Sequence, residues 1–222
     1  VPSWVTWGLA IPDDWNLKDI EGLVQGFASL CGPASVPLIG GNLTRTEGPM
    51  VINVTIGGRL AGSHPITRTG ARVGHAVCVS GELGNAALGY VHTTEKTRLL
   101  RHDWRPHLDE AWALARSGHV TAMMDISDGL LLDASRIAGC SGVCIEVDSQ
   151  SIPVSESYRS RYKDDKTLAM TGGEDYVLLF TCDTDDEVPP WAFTIGRCTT
   201  GHGVTVDGRR VAPQGHDHFA GV

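Results

Sequence analysis

Residues 120–138 read VTAMMDISDGLLLDASRIA, and two kinds of structure meet inside that stretch. The apolar run 120–126 predicts a strand. The residues after Gly129 carry apolar side chains at helical spacing, so a helix is predicted through 138, with Asp128 placed to act as its N-cap. Asp125 and Asp128 therefore stand three residues apart at a strand-to-helix junction. Two chemistries are open there. Paired carboxylates can hold Mg²⁺ while Ser127 and the helix N-terminus face phosphate oxygens. Alternatively, Asp128 is only a cap and Asp125 only a solvated loop residue.

Outward from this junction, strands and helices mix without strict βαβ alternation. Towards the N-terminus, 107–117 (HLDEAWALARS) is predicted helical, as is 85–92 after the strand AVCVS at 76–80. MVINVTIGG (50–58) predicts a strand. VPLI (36–39) predicts a short strand that runs into a glycine turn, Gly40-Gly41-Asn42. Residues 17–31 carry Ile20, Leu23, Val24, Phe27 and Leu30 at helical spacing. The chain opens on alternating Ser3, Val5, Trp7 and Leu9 against Trp4, Thr6, Gly8 and Ala10, a strand pattern. Towards the C-terminus, strands are predicted at 143–148, 176–182 and 192–198. A hairpin follows around Asp207-Gly208, a type I′ turn signal. The pattern predicts an α+β fold with helices stacked on largely antiparallel or mixed sheets. The charged segment 93–106 is the predicted boundary, giving an N-terminal domain at 1–92 and a C-terminal domain at 93–222.

The 222 residues, 41% hydrophobic and 20% charged, describe an ordinary globular chain, with no run of about 20 apolar residues for a membrane span. A net charge of −8 argues against a broad nucleic-acid or anionic-membrane surface. It leaves a phosphorylated ligand open, since metal ions can reverse the sign of one pocket. Six cysteines without a Cys-x-x-Cys spacing read as reduced core residues, and the cytoplasm is the expected compartment.

Three further segments carry potential chemistry. Gly40-Gly41-Asn42-Leu43-Thr44 reads as a glycine turn that brings backbone N–H groups close to a phosphate, with Asn42 and Thr44 as oxygen ligands, or as a plain loop. Ser80-Gly81-x-x-Gly84 before a helix can bind an anion or simply turn. Thr171-Gly172-Gly173-Glu174-Asp175-Tyr176 puts two acids after a diglycine and before an apolar strand. They are either the solvated edge of a turn or acceptors aimed into a pocket.

In this order and over nearly the whole chain, GGNLTR (40–45), TRTGARVG (67–74), VSGELGNAALG (79–89), MDISDGLLLD (124–133), TGGEDYVLLF (171–180), IGR (195–197) and GHDHF (215–219) resemble the thiamine-monophosphate kinase family. That family sits within the aminoimidazole-ribonucleotide-synthetase-like superfamily. The GGED segment and the DHF tail point to this kinase over the synthetase and selenophosphate-forming relatives.

The resemblance implies a two-domain synthetase-like fold: an N-terminal sheet with packed helices, and a C-terminal α/β sandwich. It also implies a homodimer formed through the N-terminal domains and an ATP site in the cleft between domains. The implied reaction is direct in-line transfer of the γ-phosphoryl group of ATP to thiamine monophosphate, with Mg²⁺ bridging the phosphates. By motif, Asp125, Asp128 and Asn42 are the implied Mg²⁺ ligands; Arg68, Ser127, Gly41 and Thr44 the ATP contacts; and Glu174 and His216 the acceptor contacts. Asn42 stands where the family usually has Asp, and His216 where it usually has an aromatic, most often Trp. A further N-terminal segment bearing acidic Mg²⁺ ligands is also expected. Two other readings remain: a superfamily enzyme acting on a different small molecule, and a non-catalytic paralogue that binds nucleotide or only dimerises.

Overall fold

The computed structural model describes residues 1–92, 105–183 and 188–216. The chain forms two compact units, Val1–Ser63 and His64–Val222.

In the first unit, β1 (Pro2–Pro12) is the middle strand of three, flanked by β2 (Leu38–Thr46) and β3 (Val51–Gly58). β1 pairs parallel with β2 and antiparallel with β3. α1 (Leu17–Cys31) begins at Asn16, whose side chain accepts the amides of Lys18 and Asp19 while Asp19 accepts the Asn16 amide. This reciprocal cap is worth about 1 kcal/mol. The alternation seen in the sequence puts Trp7, Leu9 and Ile11 on the face that α1 covers, where they pack with Ile20, Leu23 and Phe27. The Trp7 and Phe27 rings stack with centroids 4.4 Å apart. α1 shields only the middle strand. Leu43, Ile52, Val54 and Ile56, the cross-strand partners of β1 on that same face, stay exposed.

The second unit is a seven-stranded sheet. Its strands are β4 (Ala76–Val79), β5 (Val120–Asp125), β6 (Cys144–Val147), β7 (Leu178–Cys182), β8 (Phe193–Thr199), β9 (Gly203–Val206) and β10 (Arg209–Val211), in the order β10-β9-β6-β8-β4-β7-β5. All pairings are antiparallel except β6 with β9. Its helices are α2 (Asn85–His92), α3 (Leu108–Ser117), α4 (Leu130–Ser141), α5 (Glu156–Tyr162) and α6 (Thr167–Thr171). Every residue of β4 is buried because both sheet faces are covered. Val77 and Val79 join the core beneath Leu130, Ala134 and Ile137 of α4, while Ala76 and Cys78 join the opposite core with Leu114 of α3. The expected α/β sandwich is therefore present. Asp207 and Gly208 both have positive φ, as a type I′ turn requires.

Three sequence expectations need correction. The boundary predicted at 92/93 falls instead at 63/64, because β4 is an interior strand of the second sheet and cannot belong to the first unit. Most of the charged segment behind that prediction, 93–104, lies outside the described residues. The glycine turn at 40–42 is not a turn: β2 runs unbroken from Leu38 to Thr46. A Cβ on Gly41 would sit 2.0 Å from the carbonyl oxygen of Trp7, so this glycine permits the close approach of two strands. Finally, Asp128 does not cap α4. Gly129 holds the N-cap position without a side-chain bond, and the helix supplies its own acid from within.

Candidate active site

β5 ends at Asp125, and the chain then turns through Ile126-Ser127-Asp128 into α4. What shapes this turn is Asp133, in the first turn of α4 and fully buried. One of its carboxylate oxygens accepts the amides of Ser127 and Asp128, each at 3.0 Å. The other pairs with Arg136, whose guanidinium also reaches the Asp128 carboxylate at 2.6 Å. Burial pushes the Asp133 carboxyl above its ordinary value, opposed by the Asp128 amide and by Arg136. Sequence reading passed over Asp133. Its signal was available: a carboxylate three residues after Leu130, on the stripe that buries Ala134 and Ile137, needs N–H partners.

Two other segments bond to this turn through their backbones. The Glu174 amide donates to the Ser127 carbonyl at 2.8 Å, and the Tyr176 amide to that of Ile126 at 2.9 Å. The His216 amide donates to the Asp128 carbonyl at 2.8 Å. Gly173 lets the first two segments meet, since a Cβ there would lie 2.5 Å from the Ser127 carbonyl oxygen. Together they enclose a cavity of about 650 Å³, a volume suited to a small organic ligand. Ser127, Asp128, Gly172, Gly173, Glu174, Tyr176, Gly215 and His216 line one side; Ala86, Ala87, Tyr90 and Val91 of α2 line the other, with Leu168 and Thr171 from α6.

Of the residues predicted for function, Glu174, His216, Ser127 and Asp128 thus share one cavity. Asp125 and Arg68 do not line it. Asp125 is exposed at the end of β5, and Arg68 is exposed on the segment anchored by Ser141, whose hydroxyl donates to the Arg68 carbonyl and accepts the Gly70 and Ala71 amides. Gly41, Asn42 and Thr44 lie on β2 of the first unit. Asp217, His218 and Phe219 of the expected tail motif lie outside the described residues.

The cavity region is acidic. The Tyr176 phenol is pushed above its ordinary value by burial, then by the charges of Glu174, Asp125 and Asp128. Such a site favours a cationic ligand or a metal ion. Among the described residues no group of three or more His, Cys, Asp or Glu side chains could hold a metal by itself. Mg²⁺ does not require one: it commonly takes one or two carboxylates, with waters and substrate phosphates completing six oxygens. Asp125 and Asp128 are hard oxygen donors that suit it. Asp175 is different: it is buried and faces away, accepting the amides of Gly84 at 2.6 Å and Ala86 at 3.1 Å. Of the two readings open for Ser80-Gly81-x-x-Gly84, the turn holds, and its Gly84 amide is taken by the chain's own carboxylate.

Residues 1–60 match the AIR synthase related protein N-terminal domain, and residues 72–190 the C-terminal domain. The fold and the site thus define an AIR synthase related protein. Within that class, the chain is 35% identical to thiamine-monophosphate kinase of Aquifex aeolicus, over 99% of this chain and 75% of the relative. It is 36% identical to that of Methanopyrus kandleri, over 92% and 68%. A solved structure, AaThiL complexed with AMPPCP and TMP, superposes with a TM-score of 0.82 at 33% identity, covering 99% of this chain and 74% of that one. The chain belongs to the thiamine-monophosphate kinase family.

Proposed function

We propose that this protein transfers the γ-phosphoryl group of ATP to thiamine monophosphate, giving thiamine diphosphate, and that the 650 Å³ cavity receives the acceptor. The observation that carries this reading is the convergence of Glu174, Tyr176 and His216 on one acidic cavity, in a chain of this family. Thiamine monophosphate presents a cationic thiazolium and a flat aminopyrimidine. The Glu174 carboxylate suits the cation and can accept from the amino group, and the Tyr90, Tyr176 and His216 rings offer faces for stacking. The binding of AMPPCP, an ATP analogue, and TMP by a relative that superposes on this chain supports the same pair of substrates.

Phosphoryl transfer depends on positioning and on neutralising charge rather than on covalent chemistry by the protein. In this reading Asp125 and Asp128 would hold Mg²⁺, which when bound neutralises the phosphate oxygens. Arg68 and Ser127 serve as ATP contacts. Arg136 already neutralises Asp128, so a metal at Asp128 shares that carboxylate with the guanidinium. We further infer a homodimer through the first unit, supported by the exposed Leu43, Ile52, Val54 and Ile56 on its sheet.

The test is to incubate the protein with ATP, Mg²⁺ and thiamine monophosphate and resolve the products chromatographically. Thiamine diphosphate and ADP in equal amounts, both dependent on the acceptor, are expected. ATP turnover indifferent to thiamine monophosphate would sink the reading.

A further inference from the structure

Within Gly172–Tyr176, Asp175 alone is absent from the cavity lining. Glu174 and Tyr176 on either side adopt left-handed backbone conformations, with φ of 67° and 54°. Non-glycine residues hold such angles only where surrounding structure enforces them. The Glu174 and Tyr176 amides bond the Ser127 and Ile126 carbonyls, and between them, behind the lining, the Asp175 carboxylate takes the Gly84 and Ala86 amides, donors at the N-terminus of α2. Ala86, Ala87, Tyr90 and Val91 of that helix form the neighbouring wall, with Ala87 packed against Gly172.

We propose that Asp175 is a positioning residue that clamps the two walls of this cavity together, fixing Glu174 and Tyr176 at a set separation from Ala86 and Tyr90. The inference deepens the acceptor reading above and rests on it for the identity of the ligand. A carboxylate is the group the geometry demands, because its two oxygens accept from two different amides. An Asn side chain has one acceptor oxygen and would set its NH₂ against the other amide. The negative charge also suits the helix N-terminus. Asp175 does not itself line the cavity, so it acts on the ligand only through its neighbours and through Ala86, whose amide it holds.

The experiment compares Asp175→Asn with the wild-type protein in steady-state assays. The KM for thiamine monophosphate is expected to rise about 10-fold or more, the effect of losing one charge-assisted bond, while the KM for ATP and kcat each change less than about 3-fold. Equal rises in both KM values, or a fall in kcat alone, would overturn the clamp. A second measurement needs no variant. In native-state hydrogen exchange of the wild-type protein, the amides of Gly84, Ala86, Glu174 and Tyr176 should open with one common free energy. Separate opening of the two walls would also overturn it. Should those amides open together in a protein that does not bind thiamine monophosphate, the clamp stands and the acceptor reading falls.

Discussion

Gly40-Gly41 and Gly172-Gly173 look interchangeable in the sequence: each is a diglycine beside a strand, followed by a polar residue. In the folded chain the first pair lies within an unbroken edge strand, where Gly41 makes room for the carbonyl of Trp7 and Gly40 has open space around it. The second pair forms the wall of a cavity, where Gly173 makes room for the carbonyl of Ser127. A diglycine therefore signals that something approaches closely. Whether the neighbour is a pairing strand or the turn beneath a ligand is decided by segments more than thirty residues away.

The sharpest way to break this comparison is Gly173→Ala. Its Cβ would be pressed against the Ser127 and Asp128 backbone, which cannot yield as a flexible side chain can. A loss of about 3 kcal/mol in urea unfolding is expected, together with weaker thiamine monophosphate binding in calorimetry. Wild-type stability and affinity in this variant would remove the distinction between the two pairs.

The next largest effect separates the members of the first pair. Gly41→Ala should cost about 2 kcal/mol, whereas Gly40→Ala should stay within about 0.5 kcal/mol, because only the former meets Trp7. Thermal melts of the two variants side by side are the check. Equal losses would mean that strand propensity, rather than close approach, governs both positions.

The smallest effect concerns the acid that follows the second pair. Burial raises the Asp175 carboxyl to about 6, the Gly84, Ala86 and Asn85 amides only partly offsetting it. A folded-state value above the unfolded one gives a contribution fully present below about 4 and lost as pH rises through about 6. Between pH 7 and pH 5 the wild-type protein should therefore gain about 1 kcal/mol that Asp175→Asn does not. The difference between their urea-unfolding free energies at the two pH values measures it. No change in that difference would mean that Asp175 keeps its charge throughout this range.

The sequence by itself determined much of the local structure. α1 and α2 run over the predicted residues, and β1, β3, β5, β6, β7 and β8 fall within a residue or two of their apolar runs. Local side-chain periodicity and capping chemistry are sufficient for that, since both act over a few residues. The ordered motifs also carried the family, because they record residue identity rather than contact. The resemblance pointed to Glu174 and His216 as acceptor contacts on one wall, and the structure shows what joins them: both bond the carbonyls of the turn at 126–128.

Tertiary structure alone decided three things. The domain boundary moved to 63/64 because β4 pairs with β7 and β8, contacts about a hundred residues away in sequence. Asp133, rather than Asp128, organises the turn at the end of β5, because a buried carboxylate must collect whatever amides the fold brings to it. Asp175 and Glu174 are adjacent acids, yet one is bonded to the N-terminus of α2 and the other lines the cavity wall. Each of these depends on which distant backbone groups lie within hydrogen-bond distance, and that is a property of strand pairing and layer packing that residue spacing does not encode.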